Sequence, residues 1–354
     1  MPEASPRLAE HTTLRLGGPA RDWVRAGDEA ELVAAVRRCD EAGEPVLILG
    51  GGSNLVVADA GFDGTVIEVA TRGIAADADS PDDLACLGAT TVRAQAGEDW
   101  DAFVATAVEQ EWSGIESLSG IPGLVGGTPI QNVGAYGSEV AQTIASVRTW
   151  DRVARRQTTF PVADCGFGYR WSRFKAEPDR YLVLEVTFQF ALGSLSAPVR
   201  YAELARALGV TVGTRVPASE VRTAVLGLRA GKGMVLDAAD HDTWSAGSFF
   251  TNPLLTVGEA AGLPSEAPRY DQPDGRVKTS AAWLIEHAGF GKGFGADIGT
   301  GRATLSTKHT LAVTNRGAAS AADVLGLARE VRSGVAQRFG ITLVPEPVLV
   351  GCRL

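Results

Sequence analysis

The chain has 354 residues, is 45% hydrophobic and 21% charged, and carries a formal net charge of −9. That composition supplies a buried core for two or three domains and excludes a generally basic nucleic-acid-binding face. No apolar run spans a bilayer and no basic-then-apolar leader opens the chain, so a cytoplasmic protein without membrane association is expected. A monomer is the expected state, though the sequence does not fix oligomeric state.

In chain order, HTTLRLGGPA opens with a Gly-Gly-Pro turn, and DEAELVAAVRRCDEAG has helical spacing, with Leu32, Val33 and Val36 on one face. EPVLILGGGSNLVVAD reads as strand, glycine turn, strand, and GTVIEVA as a further strand. DADSPDDLA is a polar surface insertion. TVRAQAGE is a strand, and DWDAFVATAVEQE an amphipathic helix with an acidic start that suits the helix dipole. SVRTWDR, RQTTFPVADC and RYLVLEVTFQFAL are β-rich. SEVRTAVLGLRAG and SAAWLIEHAGF are helices, KHTLAVTN is a strand, SAADVLGLAREVRSGVAQRFG is a long amphipathic helix, and ITLVPEPVLVG closes as a strand.

Cys39, Cys86, Cys165 and Cys352 form no CxxC pair and do not cluster with the four histidines, so free thiols and no metal site are expected.

The segment Ser119 to Gly137, SGIPGLVGGTPIQNVGAYG, is too rich in Gly and Pro for a helix and too apolar for disorder. It reads as a buried, turned backbone whose N–H groups face a ligand, a cradle for the phosphates and ring of a dinucleotide. Gly50, Gly51, Gly52, Ser53 and Asn54 follow the apolar strand ending at Leu49. They are either a phosphate-facing turn or a plain tight turn, but not a P-loop, because no Lys-Ser/Thr follows. GKGFGA, 291–296, fits GxGxxA but follows a helix, so it is a loop and leaves no separate nicotinamide-binding domain.

In FGYRWSRFK, Arg170 either grips a carboxylate or enolate between aromatics or lies exposed on a strand. In AGSFFTNP, Ser248 is a turn residue or a proton donor; without a GxSxG elbow it is not a hydrolase nucleophile. Glu346, between two prolines, is a buried, hydrogen-bonded carboxyl or a solvent-facing bend.

Taken in order, TTLRLGGPA, LILGGGSNLVV, the 119–137 cradle, FGYRWSRFK, AGSFFTNP, KHTLAVTN and PEPVLVG resemble the UDP-N-acetylenolpyruvoylglucosamine reductase (UDP-N-acetylmuramate dehydrogenase) family over nearly the full chain. The resemblance implies an α+β, vanillyl-alcohol-oxidase-like (PCMH-type) two-part FAD-binding fold with a third α+β substrate-binding domain. Its parts would be 1–70 and 71–217, the second joined by the strand at 341–354, with 218–340 for substrate. It implies an oxidoreductase with non-covalent FAD, using NADPH as co-substrate to reduce UDP-N-acetylglucosamine enolpyruvate to UDP-N-acetylmuramate for peptidoglycan synthesis.

By the same resemblance, hydride passes from flavin N5 to the vinyl carbon, Arg170 and a protonated or hydrogen-bonding Glu346 stabilise the enolate, and Ser248 gives the proton. The flavin would be held by Leu49, Gly50, Gly51, Gly52, Ser53 and Asn54. In the cradle it would be held by Pro122, Gly123, Gly126, Gly127 and Thr128, then by Ile130, Gln131, Asn132, Val133, Gly134, Ala135 and Tyr136. Arg229 sits near flavin and substrate, and Tyr201, Lys232, Asn252 and Glu286 are substrate-side positions. GKGMVLDAADHDTWSAG is longer and less proline-rich before Ser248 than the family's better-known pattern.

Overall fold

In the computed structural model, which describes residues 6–77 and 88–354, the chain folds as two units. The larger comprises Arg21–Gly51 and Asp63–Gly231; the smaller comprises residues up to Ala20, Gly52–Phe62 and Lys232–Leu354. Most of the polar insertion expected at DADSPDDLA, together with Cys86, lies outside the described residues.

The larger unit begins with helix α1 (Glu29–Ala42), whose start is fixed by the Asp28 side chain accepting from the Glu31 N–H. It ends at Gly43, whose φ of 67° suits the left-handed cap. Its apolar stripe, Leu32, Ala35, Val36 and Cys39, is buried as the spacing requires. Beside it a three-stranded sheet runs in the order Ala20–Ala26, Phe62–Val69, Val46–Leu49, and the last two strands are parallel.

A second, antiparallel sheet is ordered Arg156–Pro161, Ile144–Asp151, Tyr181–Leu192, Ala89–Gln95, Ile74–Ala76. Helix α2 (Trp100–Glu109) starts at the Asp99 cap and buries Trp100, Phe103, Val104 and Ala107. Phe103 meets Phe188 of the long strand at 5.0 Å between ring centroids. Each such aromatic contributes a few kcal/mol of burial, so this helix is held mainly by its core face. The short helices α3 (Arg173–Ala176) and α4 (Ala202–Leu208) follow, then α5 (Ala218–Gly231). Leu204, Val221 and Val225 share a satellite core with Val199 and Val216.

In the smaller unit, Leu55–Val57 pairs in parallel with Val348–Val350, so the chain's last strand is tied to a segment about 300 residues earlier. Helices α6 (Val257–Ala261) and α7 (Ala281–His287) precede the two-stranded sheet Ala303–Leu305 with Val313–Asn315. Helix α8 (Ala321–Phe339) opens with a reciprocal Ser320/Asp323 capping box and buries Val324, Ala328, Val331 and Val335 at helical spacing. Phe249, Phe250, Leu284, Ile285 and Leu343 complete this core. No helix among the described residues is long and apolar enough to cross a membrane.

The glycine turn at 50–52 divides the two strands that flank it. Val46–Leu49 belongs to a sheet of the larger unit and Leu55–Val57 to a sheet of the smaller.

Candidate active site

In the larger unit the 119–137 segment is moulded on the start of α2. Val125 N–H donates to the Glu98 carbonyl (2.8 Å), and Trp100 N–H to that of Gly123 (3.0 Å). The Trp100 indole N–H donates to the Leu118 carbonyl (3.1 Å), and Gly120 N–H to Asp101 Oδ1 (2.6 Å). Gly126 N–H donates to the Ala96 carbonyl (2.9 Å), and a Cβ on Gly126 would lie 2.6 Å from that of Ala96. A Cβ on Gly51 would lie 2.7 Å from the Gly123 Cα, so the two glycine turns meet backbone to backbone. Several of these glycines are therefore demanded by chain packing.

Gly127 is different. A Cβ there would meet nothing within 4 Å. Gly51, exposed, makes no backbone hydrogen bond among the described residues. The N–H of Gly127 donates to the Leu124 carbonyl (3.0 Å), so what this turn offers is open space rather than a free donor; that space, with the exposed backbone of Gly51, leaves room for a flavin, and the site fits one. Leu49 has a fully buried side chain, and Thr128 is buried with its hydroxyl on the Val125 carbonyl, so either would meet a ligand only through its backbone. Pro122, Gln131 and Val133 lie along the same partly exposed run.

Asn132 (φ 48°), Tyr136 (φ 50°) and Arg170 (φ 53°) are left-handed residues with side chains. Each costs roughly 1–2 kcal/mol, held in place by surrounding contacts. Asn132, 1% exposed, donates to Glu139 Oε2 (2.8 Å) and the Gly168 carbonyl (3.0 Å) and accepts from Ala141 N–H (3.1 Å). Its amide thus ties the cradle to the Arg170 turn. The Ser172 hydroxyl donates to the Ile130 carbonyl at 2.5 Å and makes a second tie.

Arg170 donates from a terminal guanidinium nitrogen to the Gly134 carbonyl (2.9 Å) and lies 5.6 Å from the centre of the Tyr169 ring. Lys175 Nζ donates to the Arg170 carbonyl (3.1 Å). FGYRWSRFK is not a strand: a tight turn bridges Gly168 to Trp171, then α3 begins, capped by Ser172. Gly134–Ala135 pairs with Ser138–Glu139 in a hairpin that carries Tyr136.

Tyr136 packs edge-on against Tyr201, at 5.8 Å between centroids and 81°. Burial pushes its phenol up to about 12, against the pull of the Arg229 charge. Arg229 on α5 is 9% exposed, and burial lowers its pKa while Tyr136 and Asp101 oppose that shift. Tyr201, 46% exposed, precedes α4.

In the smaller unit, the segment directly after Ser248 pairs with the segment that carries Glu346. Glu346 N–H donates to the Phe249 carbonyl (2.9 Å), Phe250 bridges Pro345, and Thr251 N–H donates to the Val344 carbonyl (3.0 Å). Asn54 joins them: its Nδ2 donates to the Glu346 carbonyl (3.4 Å), and its own carbonyl accepts from Val348 N–H (2.9 Å). Gly52, at φ 58°, has no room for a side chain against the His11 carbonyl, and Ser53 follows it in the turn.

Asn252 Oδ1 accepts from Ala281 N–H at the start of α7 (2.9 Å), and Glu286 accepts from the Thr310 hydroxyl (2.9 Å). Lys232 opens the long segment before Ser248. That segment is clasped by Asp242, which accepts from Thr307 N–H (2.9 Å), the Thr307 hydroxyl (2.5 Å) and Arg316 (2.9 Å), and by Asp240 on Lys308 (2.5 Å).

Sequence reasoning missed Asp101, Glu139 and Asp242. All three serve backbone or side-chain donors contributed from elsewhere in the chain, and only the acidic start of α2 hinted at the first.

Residues 22–158 match the family described as FAD binding domain, and residues 239–350 match UDP-N-acetylenolpyruvoylglucosamine reductase, C-terminal domain. UDP-N-acetylenolpyruvoylglucosamine reductase of Cutibacterium acnes is 61% identical over 98% of this chain and 90% of its own length. That of Thermobifida fusca is 55% identical over 98% and 97%. The crystal structure of UDP-N-acetylenolpyruvylglucosamine reductase from Thermus caldophilus superposes with a TM-score of 0.63 at 25% identity, covering 98% of this chain and 97% of that one.

Fold and site together define an FAD-binding oxidoreductase of α+β, vanillyl-alcohol-oxidase-like (PCMH-type) architecture. More narrowly, the chain belongs to the UDP-N-acetylenolpyruvoylglucosamine reductase family.

Proposed function

We propose that the protein reduces UDP-N-acetylglucosamine enolpyruvate to UDP-N-acetylmuramate, a cytoplasmic step of peptidoglycan precursor synthesis, with NADPH as the electron source. Family membership supports the reaction. The observation that supports the residue assignment is the backbone pairing of 249–251, the residues directly after Ser248, with 344–346, and the bond from the Asn54 side chain to the Glu346 carbonyl.

The two glycine turns, with Tyr136 and Arg229, hold FAD without a covalent tether; no His or Cys stands in GGGSNLVVAD. Bound FAD supplies the hydride. Arg170, its guanidinium fixed by the Gly134 carbonyl and its backbone by Lys175, meets the negative charge that develops on the substrate carboxylate and adjacent carbon. Ser248 gives the proton to that carbon, and the Glu346 carboxyl assists as a hydrogen-bonding partner. Residues 218–340 serve the sugar nucleotide, with Lys232, Asn252, Glu286 and Tyr201 as substrate-side residues, while 1–70, 71–217 and 341–354 serve the flavin.

The test is an anaerobic visible spectrum of the purified protein, read after NADPH and again after the enolpyruvyl sugar nucleotide. Bleaching by NADPH and recolouring by that substrate is expected. Recolouring by oxygen alone would make the protein an oxidase of the same fold.

A further inference from the structure

The acidic start of α2 carries more than a helix dipole requires. Asp99 is the cap, accepting from Ala102 N–H (2.8 Å), so Asp101 is not needed for that task. The Asp101 carboxylate instead accepts the Gly120 N–H (2.6 Å) at the head of the cradle. It also accepts two N–H groups of Arg222 on α5, at 2.6 and 2.9 Å, in a two-point grip. Arg229 stands two turns further along α5, buried beside Tyr136, and the Asp101 charge acts on it. One carboxylate thus joins the cradle's first glycine, the helix that presents Arg229, and that residue's charge balance. Burial works against ionisation of Asp101, but Arg222, the Gly120 amide and the Arg229 charge outweigh it and hold its carboxyl below the usual range.

We propose that Asp101 is a positioning residue of the cofactor cradle, fixing Gly120 against α2 and α5 so that the 119–137 backbone and Arg229 are held ready for FAD. The proposal rests on the FAD assignment above. Asp101 is 34% exposed, so its loss leaves the core of α2 intact and the chain able to fold. Asn can still accept from Gly120 N–H, so Asp101→Asn removes chiefly the charge and the paired grip on Arg222.

The experiment measures FAD dissociation from the full-length protein by flavin fluorescence, well below the unfolding midpoint, with apoprotein Tm and the visible circular dichroism of bound FAD. Asp151→Asn is the control. Asp151 grips Arg180 from the Ile144–Asp151 strand and is more deeply buried, its side chain only 5% exposed, so its loss costs at least as much stability without touching the cradle.

Asp101→Asn is expected to raise the FAD Kd at least tenfold and to alter the flavin band, whereas Asp151→Asn lowers Tm and leaves Kd within twofold. Arg222→Gln, which removes the other partner, is expected to raise Kd in the same direction and replaces Asp101→Asn should that variant not fold. A Kd within twofold of wild type for Asp101→Asn and Arg222→Gln overturns the proposal, as does an equal rise in Asp151→Asn, which would mark a general loss of stability. A wild-type chain that takes up no FAD overturns the cofactor assignment and the positioning role with it; unchanged variants beside an FAD-binding wild type overturn the positioning role alone.

Discussion

Two alanine substitutions separate what the glycines do for the chain from what they do for the ligand. A Cβ on Gly51 would stand 2.7 Å from the Gly123 Cα and 3.3 Å from its carbonyl carbon. Ordinary carbon contacts lie near 3.5–4.0 Å, so one turn must retreat by about 1 Å. Overpacking of this kind costs about 1–3 kcal/mol. In a unit of this size that corresponds to a Tm lower by roughly 4–8 °C at the middle of the range. Gly127→Ala meets nothing within 4 Å and needs no left-handed backbone, so the apoprotein should keep its Tm or gain about 0.4–1 kcal/mol. Its FAD affinity should nonetheless fall at least tenfold, about 1.4 kcal/mol, because the added methyl occupies open space above the cradle. Thermal unfolding of the apoproteins and FAD titration decide both. Gly127→Ala binding FAD like wild type would refute the placement of flavin against that backbone. An unchanged Tm in Gly51→Ala would refute the close approach of the two turns.

Ser248→Ala should bleach with NADPH at the wild-type rate yet lose at least a hundredfold in reoxidation by the enolpyruvyl sugar nucleotide, read by stopped-flow absorbance; equal loss in both half-reactions would remove Ser248 from the proton step. Asp242 is 4% exposed, and although burial opposes its charge, Thr307 and Arg316 hold its carboxyl below the usual range. Its contribution is present above the ordinary carboxylate pKa and is lost as pH falls below it, so Asp242→Asn should cost about 2–3 kcal/mol at pH 7 and flatten the acid side of the stability profile. Burial raises the Tyr136 phenol to about 12, so stability should decline as pH climbs above about 10, where the unfolded phenol ionises first. The difference in 295 nm titration between wild type and Tyr136→Phe should show one step near pH 12; a step near pH 10 would show that the ring is not buried.

Much was legible in the sequence because the signals are local. The 3.6-residue stripe of α8, the Asp28 and Ser320 caps and the glycine at the end of α1 each act within a few residues and could be read directly. The order of the motifs carried the family. FGYRWSRFK shows the limit of local reading: alternation of aromatic and basic residues fits a strand, but Arg170 sits at a left-handed turn because Asn132 and Ser172 tie that turn to the cradle.

The same holds for the glycine turn. Nothing local in PVLILGGGSNLVV says that the first strand pairs with Phe62–Val69 and the second with Val348–Val350, in different units. Both are short, continuously apolar strands, so neither carries a local signal of its partner. Asp101 looked like one of two dipole-compensating acids, and only the arrival of Gly120 and Arg222, 19 and 121 residues away, gave it separate work. Sequence by itself determined the five longer helices with a clear stripe or cap and the family; tertiary structure decided the short helices α3, α4 and α6, which glycines packing requires, and which carboxylates and strands those segments meet, because hydrogen bonds and burial between residues far apart leave no periodic trace along the chain.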